Sequence, residues 1–178
     1  MNEKDTTTRR LSFGVRSVAY GVTFFFLFAM TVALLGLVGN QLHKYGNTYE
    51  QYASMEYKNG LGLLLFSVIF SLLILLSHPW LGVGFICVLS FIAAVFFGTG
   101  AGVINRTAPF KGTSCNRPAD EYPEPWRPYA HECSRIVAIQ GLAWALWGLY
   151  IFLFFGAVFH KIQFKARPTP EGFYYNKA

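Results

Sequence analysis

The chain has 178 residues, of which 53% are hydrophobic, 18% are aromatic and only 13% are charged. Charged residues make up about a quarter of an average soluble domain, so the composition excludes an ordinary soluble domain and predicts a protein that meets lipid. The net charge of +6 does not indicate nucleic-acid binding, because the basic residues lie at the edges of apolar runs and not in a patch with exposed aromatic side chains.

Four long apolar runs predict four transmembrane helices. A helix needs about 20 apolar residues to cross a bilayer core of about 30 Å. No Asp, Glu, Lys or Arg occurs in any of the runs, which cover residues 17–39, 60–77, 80–104 and 136–160. The runs are apolar on all sides, as expected for helices that face lipid. The predicted fold class is all-α, a four-helix transmembrane bundle at residues 13–163, between an N-terminal tail (1–12) and a flexible C-terminal tail (164–178).

A tyrosine-rich loop connects the first two runs. Tyr45, Tyr49 and Tyr52 follow one another at helical spacing, and Met55 continues the stripe. On a helix these side chains share one face. The pattern predicts a short helix at the membrane interface, where a tyrosine keeps its ring in an apolar environment and its hydroxyl in water. An irregular loop is the alternative.

The sequence SHPW leaves very little chain between the second and third runs. These two helices therefore form an antiparallel hairpin. Its proline ends one helix, and Trp80 anchors the next at the membrane interface. A second tryptophan in a polar connection, Trp126, completes the set of aromatic side chains that we expect at the interface.

Small residues repeat every four positions in the third run, at Ala94, Gly98 and Gly102. Gly141 and Ala145 repeat the pattern in the fourth run. Small residues at this spacing allow two helices to approach closely in a membrane. The pattern fits packing inside one bundle, and it also fits contact between two copies of the chain.

The long loop between the third and fourth runs is rich in proline and holds Cys115 and Cys133. A disulfide that closes a loop of this size contributes about 3 kcal/mol in the chain-entropy model. The prolines also restrict the unfolded chain, so we expect a compact cap. Two free thiols are the alternative. Paired cysteines persist in oxidising compartments, which places this loop outside the cell or in a lumen and both termini in the cytosol.

Basic residues lie close to the membrane near both termini. Lys and Arg are shared almost equally between the two sides of the four spans, so their distribution alone does not set the orientation. On a cytosolic face, these side chains attract anionic lipids. The candidates for this contact are Arg9, Arg10, Arg16, Lys161, Lys165 and Arg167.

The polar loop does not indicate a metal or catalytic site. Only His131 and carboxylates lie near the two loop cysteines, and their spacing matches no zinc pattern. A cysteine in a disulfide cannot act as a nucleophile. No Asp, Glu, Lys or Arg lies within a span, whereas pumps and ion-coupled transporters usually need an ionisable group there. We therefore expect no catalytic residue, no metal and no cofactor.

Three segments around the second long loop read GTGAGVINR, SCNRP and HECSRIVAIQGLAWALW. With the four spans and the short turn, they resemble MARVEL-type tetraspan proteins, especially the fungal members related to the non-classical export protein. The resemblance covers about residues 13–163. It implies a disulfide between Cys115 and Cys133. It also implies membrane organisation, membrane curvature or vesicle cargo sorting without catalysis, at the plasma membrane or in secretory-pathway vesicles.

Two functions follow as hypotheses. The first is a non-enzymatic homo-oligomer that organises or shapes membranes, with lipids as partners: anionic lipids on the cytosolic face, and a sterol as a further candidate. The alternative is a carrier or channel for a neutral or lipidic solute, which needs a polar stripe through the bundle. The candidates for that stripe are Thr23, Thr31, Ser67, Ser71, Ser90, Thr99 and Gln140.

Overall fold

The computed structural model describes residues 15–46, 48–113 and 115–166. Within these ranges the chain is helical and contains no strand. The four long α-helices are α1 (Val15–Tyr45), α2 (Met55–Ser77), α3 (Val83–Thr107) and α4 (Cys133–Ala166). Short 3₁₀ turns lie between them at Tyr49–Gln51, His78–Trp80, Ala119–Glu121 and Glu124–Glu132.

All four helices are long and apolar enough to cross a membrane, which confirms the expected all-α tetraspan fold. The helices extend past several of the apolar runs, because a helix bonds its own backbone whether or not its side chains are apolar. α2 begins at Met55, five residues before its run, because the Ser54 hydroxyl accepts a hydrogen bond from the Tyr57 amide at 3.1 Å and caps the helix. α4 continues to Ala166, beyond the expected end of the membrane domain.

The four helices form an antiparallel bundle in which α3 packs most extensively on α4, α2 lies between α1 and α3, and α1 contacts α4. Ring contacts identify one end of the bundle. The ring centroids of Phe24, near the start of α1, and His78 lie 4.0 Å apart. Those of Phe91, near the start of α3, and Phe154 lie 5.4 Å apart. We call this the tail end, because α1 begins and α4 ends there. The opposite end, which carries both long loops, is the cap end.

Each helix turns one stripe of side chains inward and leaves bulky apolar side chains on the outside. The inward positions recur at intervals of three and four, the spacing that places residues on one face of a helix. Fully buried examples are Leu27, Leu34, Leu61, Leu64, Phe97, Ile104, Ile139 and Leu146. Phe25 and Phe152, by contrast, are exposed, so the outer surface suits contact with lipid tails.

Glycines on α3 allow its two neighbours to approach closely. A Cβ atom built on Gly98 would lie 2.7 Å from Cδ1 of Trp147 in α4, and one on Gly100 would lie 2.5 Å from Cδ2 of Leu64 in α2. Real Cβ atoms do not come this close to a neighbour, so a larger residue at either position would displace the Trp147 or the Leu64 side chain. Packing of this kind replaces the hydrophobic effect as the attraction between helices in lipid.

The predicted small-residue set therefore divides in two. Ala94 is buried and Gly98 meets Trp147, so these two serve packing inside the bundle. Nothing described lies within 4 Å of a Cβ built on Gly102 or Gly141. Gly100 was not part of the predicted small-residue set, because the residues four positions before and after it are large.

Candidate functional site

The second long loop folds into an ordered cap that is tied to the start of α4. Cys115 and Cys133 form a disulfide with an S–S distance of 2.02 Å and a Cα–Cα distance of 5.4 Å. This confirms the expected bridge. Because Cys133 is the first residue of α4, the bridge fixes the beginning of the loop to the helix that ends it. Among the described residues Cys87 is the free cysteine.

Aromatic rings join this cap to the ends of the helices. Trp126 lies at the centre and is only 6% exposed. Its indole meets Tyr57 at 5.2 Å, Phe110 at 5.5 Å and Tyr129 at 6.0 Å, measured between ring centroids. Edge-on contacts of this kind add to the area that the rings bury. We call these rings, with Tyr45 and Tyr52, the aromatic cap cluster.

Hydrogen bonds connect the two loops within the cap. The Tyr129 hydroxyl donates to the carbonyl of Gln51, and the Tyr52 hydroxyl donates to the carbonyl of Gly46 at 2.9 Å. Burial raises the pKa of Tyr52 above its ordinary value.

Gly46 has a φ of 66°, the left-handed conformation that commonly ends a helix and that glycine adopts without strain. Its amide bonds back to the Leu42 carbonyl at 2.9 Å.

A buried carboxylate links α1 to α4 beneath the cap. The side chain of Glu132 is only 5% exposed, and it pairs with Lys44 at the end of α1 and with Arg135 in α4. The Arg135 Nη1 to Glu132 Oε2 distance is 2.6 Å. Charged side chains are rarely buried without such partners, because an unpaired charge loses its hydration. Local sequence spacing did not predict this pair, because Lys44 in the last turn of α1 and Glu132 in the second loop are 88 residues apart.

The expected short helix in the first loop does not form. Tyr45 belongs to α1, Tyr49 begins a 3₁₀ turn, and Tyr52 follows that turn. Gly46 ends α1 and Ser54 caps α2, so too little chain is left between them for a separate α-helix. The irregular loop was the correct alternative. Tyr49 remains half exposed, with the Lys58 ammonium 3.8 Å from the centre of its ring.

The aromatic residues predicted for the membrane interface occupy different environments. Trp80 lies in the tail-end turn and is 84% exposed, so it is free to contact the interface. α3 begins three residues later than its apolar run, at Val83, because the chain first completes the 3₁₀ turn. Trp126 and Tyr52 are buried in the cap, which leaves little of either side chain for lipid. Their interfacial role stays a prediction, and both rings pack against other aromatic side chains of the cap.

Polar side chains meet at the centre of the bundle. The Thr31 and Ser71 hydroxyls lie 3.1 Å apart, and the Ser71 and Tyr150 hydroxyls lie 2.5 Å apart. All three side chains are fully buried, and Phe97 stacks on Tyr150 with 5.7 Å between ring centroids. The three hydroxyls thus connect α1, α2 and α4, and α3 covers them. Tyr150 was not among the predicted polar residues, because its ring is apolar and suits a transmembrane run.

Other members of the predicted polar stripe do not extend this cluster of three hydroxyls into a continuous polar path through the bundle. Ser67 donates to the Leu63 carbonyl of its own helix at 2.6 Å. Gln140 donates to Asn105 at 2.6 Å, near the cap end. Thr99 is exposed on the outer surface, and the Ser90 hydroxyl is buried without a hydrogen-bond partner among the described residues. These four members of the stripe therefore do not join the three central hydroxyls.

The basic residues predicted to contact anionic lipid can be placed only in part. Arg9, Arg10 and Arg167 lie outside the described residues. Arg16 belongs to the first turn of α1, while Lys161 and Lys165 belong to the last turns of α4. These three positions therefore share the tail end of the bundle.

Within the described ranges, no group of three or more His, Cys, Asp or Glu side chains is arranged to hold a metal ion. No protein-family model matches the sequence, no curated protein is significantly similar to it, and no solved structure matches its fold. The function is therefore inferred from the chain's own geometry.

Proposed function

We propose that this protein is a non-enzymatic tetraspan that associates laterally with copies of itself and thereby organises or shapes membrane domains. The observation that carries the proposal is an open small-residue stripe on α4, formed by Gly141, Ala145 and Gly148. These positions share one helix face. Nothing described lies within 4 Å of a Cβ built on Gly141 or Gly148, so the bundle's own packing does not use the stripe.

The side chains beside this stripe suit contact with a second helix. Trp144 and Trp147 lie on one side of it, and they remain 39% and 38% exposed. Their rings meet edge to face, with 5.4 Å between ring centroids. In lipid, helices associate where small residues allow backbones to approach and where large neighbours supply van der Waals contact. The stripe and its neighbouring indoles offer both.

The wider proposal, which rests on the sequence resemblance, is a MARVEL-like protein of the plasma membrane or secretory vesicles. Disulfides persist outside the cytosol, so we propose that the cap end faces outward or into a lumen. The tail end then faces the cytosol. There the basic residues near both termini attract anionic lipids, at about 1 kcal/mol for each charge near the surface.

The mass of the particle in lipid-preserving polymer discs tests self-association. We expect the wild-type chain to form assemblies larger than one 20.0 kDa chain. Replacing Gly141 and Gly148 with leucine should reduce that mass, because the added side chains fill the stripe. Gly62→Leu is the matched control. Gly62 lies on α2, and nothing described lies within 4 Å of a Cβ atom built there.

A particle of one chain, with or without reducing agent, would contradict lateral assembly. A solute-flux assay in liposomes then becomes decisive for the carrier hypothesis, because a membrane-organising protein moves no solute above empty vesicles. Lipid co-purification tests the basic residues separately. Replacing all six of them should lower the enrichment of anionic lipid, and unchanged enrichment would contradict their role.

A further inference from the structure

A groove of about 360 Å³ opens between α2 and α3 near the cap end of the bundle. Its volume falls in the range of small-molecule sites. Its inner wall is apolar, and its polar side chains come from the ends of both helices. The apolar residues are Gly60, Leu63 and Val103, and the polar residues are Glu56, Asn59, Arg106 and Thr107.

Gly60 lies where α2 passes close to α3 in the lining of the groove. A Cβ atom at this position would lie 3.1 Å from Cγ1 of Val103 and 3.4 Å from Cγ1 of Ile104. The first distance is tighter than most real Cβ contacts, so the Val103 side chain would have to shift by a few tenths of an ångström to admit a larger residue. Glycine therefore allows the two helices to approach closely at the groove.

One acid and one base line this groove without pairing to each other. Glu56 lies in the first turn of α2 and Arg106 in the last turn of α3, and both are exposed. Within the described part of the chain, neither side chain forms a salt bridge or a hydrogen bond. A guanidinium binds phosphate through paired N–H donors, and a carboxylate attracts an ammonium group. One ligand that carries both groups satisfies both side chains.

An aromatic seam continues from the groove towards the middle of the membrane. Leu63, Phe66 and Phe70 follow Glu56 on one face of α2, at helical intervals. Phe96 of α3 lies 5.5 Å from Phe66 and 6.0 Å from Phe70, measured between ring centroids. Phe66 is 54% exposed, so this seam is open to lipid.

The groove and seam together match the depth of one leaflet. At about 1.5 Å per residue, Phe66 lies about 15 Å along α2 from Glu56. Half of a hydrocarbon core of about 30 Å has the same depth. A lipid with its headgroup at Glu56 and Arg106 therefore places an acyl chain along Phe66.

We propose that the groove holds a zwitterionic phospholipid from the leaflet at the cap end. Its phosphate binds Arg106, its ammonium or choline group lies against Glu56, and one acyl chain packs on Phe66 and Phe96. A lipid with only a negative headgroup would leave Glu56 facing that charge, and a sterol offers no phosphate to Arg106. This inference goes beyond the proposed function, because one chain supplies the whole site whether or not copies associate.

Native mass spectrometry of the purified full-length protein tests the site. The protein is titrated separately with phosphatidylethanolamine, phosphatidylglycerol and a sterol, and one-to-one adducts are counted. We expect phosphatidylethanolamine to bind best. The loss of one charged contact near the membrane surface lowers the affinity for the lipid about fivefold. Glu56→Gln should therefore weaken the binding of phosphatidylethanolamine about fivefold and strengthen the binding of phosphatidylglycerol. Arg106→Gln should weaken the binding of both phospholipids.

The matched control is the double variant Arg117→Gln/Glu121→Gln, which removes one acid and one base from an exposed pair in the second loop. It should leave all adducts unchanged. The reversal of headgroup preference in Glu56→Gln is the decisive result, because loss of folding would weaken every lipid alike. The proposal is overturned if the wild type binds the three lipids equally, or if Glu56→Gln keeps the wild-type order of preference.

Discussion

Replacing Glu132 with glutamine tests whether the buried carboxylate holds the cap to the bundle. The change keeps the size of the side chain and one carbonyl acceptor but removes the negative charge. Glu132 then loses its charged hydrogen bonds to Arg135 and Lys44. Arg135 and Lys44 remain partly hydrated in the variant, because their side chains are 36% and 45% exposed.

The expected loss follows from this geometry. Breaking a fully buried ion pair costs about 3–5 kcal/mol, while a single hydrogen bond to a charged group contributes about 1.5–3 kcal/mol. Since the cations beside Glu132 remain partly hydrated, the lower range applies. We expect the variant to lose about 1.5–3 kcal/mol of unfolding free energy, which corresponds to a fall in Tm of about 3–12 °C for a chain of this size.

Two assays separate a local from a global effect. Thermal unfolding in detergent gives the change in Tm, and hydrogen exchange of cap peptides at residues 124–132 shows whether the cap opens. Glu121→Gln is the control, because Glu121 is 53% exposed and lies 4.0 Å from Arg117. Such an exposed pair is worth less than about 1 kcal/mol. The reasoning is refuted if Glu132→Gln unfolds like the wild type, or if both variants lose the same stability.

Three further predictions concern the cap and the bundle. Replacing both cap cysteines with serine should destabilise the loop by about 3 kcal/mol and speed hydrogen exchange in the cap, while the four helices persist in circular dichroism; unchanged exchange would contradict this. Tyr150→Phe should cost about 0.6–1.7 kcal/mol, the range for interhelical hydrogen bonds in membranes, and an unchanged Tm would show that the hydroxyl contributes nothing. Gly98→Leu should lower the Tm more than Gly102→Leu, because only Gly98 faces a neighbour within 4 Å; equal effects would count against close packing there.

The four spans were predictable because the bilayer imposes a length and a composition on every helix that crosses it. About 20 apolar residues are needed, and each backbone amide must find its partner within the helix. Those demands act on consecutive residues, so they are visible in the sequence. The disulfide was also predictable, because both cysteines lie in one proline-rich loop, 18 residues apart.

The contacts that shape the cap were not predictable, because they join residues far apart in the chain. Lys44 and Glu132 meet only after α1 and α4 have packed. Trp126 was assigned to the membrane interface because tryptophan favours that position, and no local pattern shows that Tyr57 of α2 and Phe110 pack against it. The inward position of Tyr150 was equally hidden, since a run that is apolar on all sides does not show which face will lie inside the bundle.

The most direct test of the proposed function is self-association in liposomes at increasing lipid dilution. Copies labelled with donor and acceptor dyes are mixed, and energy transfer is compared with a monomeric membrane protein at the same density. Lateral association predicts transfer above this reference that falls on dilution and decreases in Gly141→Leu/Gly148→Leu. Transfer equal to the reference at every dilution would contradict self-association, and with it the proposal that this tetraspan organises membranes by assembling.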